Sequence, residues 1–106
     1  MVKMTTYEEI IQKAVNKETE ILGEKTALNI ANDVKGLEMD EEGEIQKLDG
    51  EELEILEDLV QEYQKIGGAV SASLIAREIE DIVDKDMELP DILMERIDSE
   101  KIATTV

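Results

Sequence analysis

Asp49-Gly50-Glu51-Glu52-Leu53-Glu54-Ile55-Leu56-Glu57-Asp58-Leu59-Val60-Gln61-Glu62-Tyr63-Gln64-Lys65-Ile66-Gly67-Gly68 is the stretch whose pattern decides the fold. Leu53, Leu56, Val60 and Tyr63 recur three and four residues apart, and Ile55, Leu59 and Ile66 flank them. That spacing is one face of an α-helix. Asp49 stands where an N-cap is needed, and Glu52, three residues on, completes a capping box. Gly67-Gly68 breaks the run. A helix with one apolar face needs other elements to cover it, and the sequence on both sides supplies them.

Downstream, Ala69 to Asp84 reads as a second long helix, with Val70, Leu74, Ile75, Ile79, Ile82 and Val83 apolar. Its first half is thin, because Ala69, Ser71, Ala72, Ser73 and Ala76 let a neighbouring backbone come close. Pro90, the one proline, suits the first residue of a last short helix. Ile92, Leu93, Met94 and Ile97 are its apolar residues, and residues 99–106 read as a flexible tail.

Upstream, residues 37–48 alternate acids with Leu37, Met39 and Ile45 around an acidic tip at Gly43. They read as a short β-hairpin or an ordered acidic loop. Before them a short helix runs from Thr26 to Gly36, carrying Ala27, Leu28, Ile30, Ala31 and Val34. The first helix opens with a capping box, Thr6 and Glu9. Its stripe of Tyr7, Ile10, Ile11, Ala14, Val15, Ile21 and Leu22 is interrupted only at Glu18. Gly23 either ends that helix or bends it. The expected architecture is mainly α: a single-domain bundle of four to five helices over residues 1–98.

The 106 residues carry 28 Asp and Glu against 11 Lys and Arg, a formal charge of −17. The acidity is uneven. Residues 1–37 are nearly neutral, residues 38–62 carry a net of −11, and residues 78–100 a net of −8. Such a chain repels phosphates and anionic lipid surfaces, so neither nucleic acid nor membrane is an expected partner. No apolar run approaches the roughly 20 residues that cross a bilayer, and the opening MVKMTTYEEIIQK has no apolar signal core. A soluble, cytoplasmic protein is expected.

There is no Cys and no His. Disulfides, thiolate metal sites, a cysteine nucleophile and every His-dependent triad are therefore excluded from this chain. Gly67-Gly68-Ala69-Val70-Ser71 has neither phosphate-loop spacing nor the Lys of one. Ser71 and Ser73 read as helix-packing residues. No cofactor and no enzymatic activity are expected.

Two acidic constellations stay in view. Glu51, Glu54, Asp58 and Glu62 share one side of a helix, with like charges four residues apart at a local cost. They read either as a solvated face or as a surface for a basic or amphipathic protein partner, and the partner is the favoured function; self-association also stays open. The alternative function is a calcium-type module at residues 38–49. There Glu38, Asp40, Glu42 and Asp49 occupy the first, third, fifth and twelfth positions of a calcium loop, with Gly43 at the sixth and Ile45 at the eighth. The departures are Glu at the first and fifth positions, the short Asp at the twelfth, and Gly50 where a helix should be running.

Overall fold

The computed structural model describes residues 6–83 and 88–104, the last seven of these as backbone only. Among them five helices and one hairpin follow in the order α1 (Tyr7–Leu22), α2 (Glu24–Asp33), β1 (Leu37–Met39), β2 (Ile45–Leu48), α3 (Glu52–Gly67), α4 (Ala69–Ile79) and α5 (Asp91–Thr104). The mainly helical bundle with its short hairpin is the architecture the periodicity implies.

α1 is the hub. It packs against α2, α3 and α4 and touches β2, whereas α5 packs on α4. Thr6 Oγ1 accepts a hydrogen bond from the Glu9 backbone N–H at 3.2 Å, as a capping residue should. Ile10, Ile11, Ala14 and Val15 are fully buried from α1. Gly23 ends the helix rather than bending it. Its φ of +91° carries the chain into α2, and its N–H closes the last turn on the Thr19 carbonyl.

β1 and β2 pair antiparallel, with Leu37 opposite Leu48, Glu38 opposite Lys47 and Met39 opposite Ile45. The register shift leaves Gln46 as the extra residue of a bulge. Side-chain amides fasten this small ribbon to the helices. Gln12 of α1 donates through Nε2 to the Gly43 carbonyl at 2.6 Å and accepts from the Ile45 N–H through Oε1 at 3.1 Å. Asn32 of α2 accepts from the Met39 N–H at 2.7 Å. A two-stranded hairpin is marginal alone, and these amides supply partners that a third strand would otherwise provide.

Several boundaries differ from the sequence reading. Asp49 does not cap α3. Its N–H donates to the Gly36 carbonyl at 2.8 Å, which holds it in line with the hairpin. The chain turns at Gly50, and α3 starts at Glu52 with Glu51 at the N-cap position. α4 stops at Ile79 and not at Asp84; Asp84 itself lies outside the described residues. Glu78, Glu80 and Asp81 crowd that end with negative charge, where a helix dipole favours cations. Pro90 sits one residue before α5, its carbonyl accepting from the N–H groups of Leu93 and Met94. α5 continues to Thr104, past residue 98, because nothing after Pro90 in that stretch breaks a helix. Finally, Ile66 and Val70 face solvent at 61% and 62% exposure, while Ser71, Ala72, Ile75, Ala76 and Ile79 form the buried side of α4.

Candidate functional site

Glu51, Glu54 and Asp58 come together. All three are exposed, and with Lys35, Asp49, Gly50 and Ile55 they line a shallow groove of about 350 Å³. The backbone makes this possible at one glycine. Gly36 has φ +92°, and a Cβ there would collide with the Asp49 carbonyl oxygen. Its absence lets the α2–β1 turn carry Lys35 up against the end of the hairpin. Asp49 thus joins the acidic group, although the sequence suggests it only as a helix cap or metal ligand.

Glu62 is not part of the groove. It is paired with Lys65, one turn on, at 2.6 Å. By contrast, no ion pair within the described residues involves Glu51, Glu54 or Asp58; Lys35 stands on the rim without forming one. Glu54 in the first turn benefits from the helix dipole, and Asp58 in the middle of α3 does not. The groove floor holds Ile55, which is 4% exposed. Open carboxylates grouped along a groove are chemically suited to the cationic head of a Lys or Arg side chain, which stays wet beside the acids.

The residues of the calcium-loop pattern are distributed along the hairpin. Glu38 points outward from β1, opposite Lys47. Asp40 organises the turn: its Oδ1 accepts from the N–H groups of Glu42 and Glu44, each at 2.9 Å, and its Oδ2 accepts from Gln46 Nε2 at 2.9 Å. Its oxygens are thus engaged with the protein itself. Glu42 is exposed at the tip and Asp49 lies at the far end of β2. The structure does not gather these four carboxylates, and no group of three or more potential ligands stands at metal-holding distance among the described residues.

The residue that sequence reasoning passed over is Glu18. It breaks the apolar stripe of α1 on paper, yet it is completely buried. Neither carboxyl oxygen has a hydrogen-bond partner, and the Ser71 hydroxyl, also buried, has none either. Burial pushes the Glu18 carboxyl above its ordinary range, and the nearby Ser71 offsets part of this. Tyr63 shares the region. Burial raises its phenol well above the usual value, and Glu18 adds to this only when ionised; the Tyr63 hydroxyl donates to the Ala27 carbonyl at 2.9 Å. The signal was in the spacing: Ile11, Ala14, Val15, Glu18 and Leu22 fall on one helical face.

No family model matches the chain, and comparison with curated proteins and with solved structures finds no match either.

Proposed function

We propose that this is a non-enzymatic interaction domain that binds a basic segment of a protein partner in the groove beside α3. The observation that carries this reading is the convergence of Glu51, Glu54, Asp58 and Asp49 on one groove, with no ion-paired cation among the described residues. Carboxylates held together against mutual repulsion lower local stability. A face needed only for solubility would gain by mixing in Lys. A cytoplasmic setting goes with this reading, and a sequence free of cysteine is compatible with it.

The test uses a Lys/Arg-rich amphipathic peptide as the probe, with amide shifts followed by NMR. Shifts centred on residues 35 and 49–58, weakening with added salt, are the expected result. The triple change Glu51→Gln, Glu54→Gln, Asp58→Gln should slow association and flatten its salt dependence while leaving the fold intact. Asp81→Asn with Asp91→Asn, on the other acidic region, should leave binding as it was. Equal loss with both sets would mean that net charge, and not the groove, attracts the peptide.

A further inference from the structure

Glu18 sits in the middle of the bundle, fully buried, and no charged partner reaches it among the described residues. On α1 its neighbours one turn away are Ala14, Val15, Ile21 and Leu22. From α4 it meets Ser71, which is neutral, and from α3 it meets Tyr63, whose hydroxyl is already committed to the Ala27 carbonyl on α2. Ser71 and Tyr63 are the groups that face it from the packed helices; no charged side chain of the described residues acts on its ionisation. The Ser71 hydroxyl occupies the space that a Cβ on Gly67 would fill, so Gly67 admits it to the seam. Both Glu18 oxygens and the Ser71 oxygen are shut from solvent with no partner.

An ionised carboxylate in such a place is costly, because one neighbouring hydroxyl, that of Ser71, does not replace its lost hydration. A neutral carboxylic acid is tolerable, and it carries the one donor that could serve the Ser71 oxygen. We infer that Glu18 is a proton-dependent latch: as the neutral acid it lets α1 and α4 close on each other at Ser71, and on losing its proton it forces that seam to open to water.

The direction follows from linkage. The folded chain holds a proton on Glu18 that the unfolded chain releases in the ordinary carboxylate range. The closed state is therefore at full strength below that range and weakens as pH rises through the folded-state titration. This is opposite to the behaviour of a salt-bridged acid. Charge repulsion among the other acids also varies with pH, so the effect must be read against a variant that lacks only this proton.

The experiment compares the intact wild-type chain with Glu18→Gln and Glu18→Leu by denaturant unfolding from about pH 5 to pH 8. The ratio of wild-type to variant folding constants should fall as pH rises, by at most about tenfold per pH unit. Leu, which removes the carboxyl and leaves only the neutral Ser71 hydroxyl at the site, should match or exceed wild-type stability at the upper end and serves if Gln does not fold. Without any variant, the carboxyl carbon of Glu18 should titrate above the exposed glutamates in a carbon-13 NMR series. Protection factors of the Ala72, Ile75 and Ala76 amides should drop over the same interval in wild type and not in the variant. The latch is overturned if the wild-type and variant stabilities run parallel across the range. It is equally overturned if Glu18 titrates with the surface acids, or if α4 amides exchange only through global unfolding at every pH.

Discussion

At the scale of single residues, Gln12 and Gly36 each join segments far apart in the chain. Gln12 satisfies one carbonyl and one N–H of the hairpin. Gly36 permits an approach that no other residue allows. Gly36→Ala must both adopt φ +92° and displace the Asp49 carbonyl. It should cost about 2 kcal/mol or more, read as a lowered denaturant midpoint with unchanged slope. Tyr63→Phe removes the hydroxyl that serves Ala27 and should cost about 1 kcal/mol. The carbonyl it leaves behind belongs to a helix, which limits the loss. Neither Gly36 nor Gln12 stands out in the sequence, since each draws its importance from a segment more than ten residues away. Glu18 is a different case. Helical spacing places it inside, and the rule that charges face water places it outside. Spacing prevails because a helix is rigid, and the carboxyl can adjust by holding its proton.

Among elements, the hairpin shows how one set of residues serves two readings. An acid, a Gly and an aliphatic at calcium-loop spacing are equally the ingredients of a tight acidic turn. In the hairpin Asp40 uses Oδ1 on two N–H groups of its own turn and Oδ2 on the Gln46 amide. Asp40→Ala should strip protection from the Glu42 and Glu44 amides and lower stability by about 1–2 kcal/mol, measurable by hydrogen exchange. Calcium near 1 mM should shift the loop amides no more than magnesium does. The helices themselves were legible because apolar spacing and punctuation agree: Gly23, Gly67-Gly68 and Pro90 all mark real boundaries. The C-terminal end of α4 and the start of α3 were not, since competing capping partners and end charges differ by less than tertiary contacts contribute. The acidic groove was half legible. Charge counting finds the segment, but only the Gly36–Asp49 approach decides that Asp49 joins Glu51, Glu54 and Asp58 while Glu62 turns to Lys65.

For the whole molecule, a formal charge of −17 on a body with a radius of gyration of 13.4 Å is the dominant long-range force. Screening must relieve it. Raising ionic strength from about 0.01 M to about 0.5 M shrinks the Debye length from ~30 Å to a few ångströms. The melting temperature should rise over that interval, and the groove triple Gln variant should show a smaller rise than wild type. A melting temperature indifferent to salt would mean the charges are already neutralised by bound counterions. The central position of α1 carries a consequence of another kind, in the order of synthesis. The helix that α2, α3 and α4 all cover leaves the ribosome before any of them, and the end of α4 trails its own end by 57 residues, from Leu22 to Ile79. At roughly 5–20 residues per second, the nascent chain therefore spends about three to eleven seconds with Ile10, Ile11, Ala14 and Val15 short of their final cover. Only α2 and the hairpin arrive early enough to shelter that stripe, so a slow codon placed after the hairpin would lengthen the interval in which a chaperone can capture it.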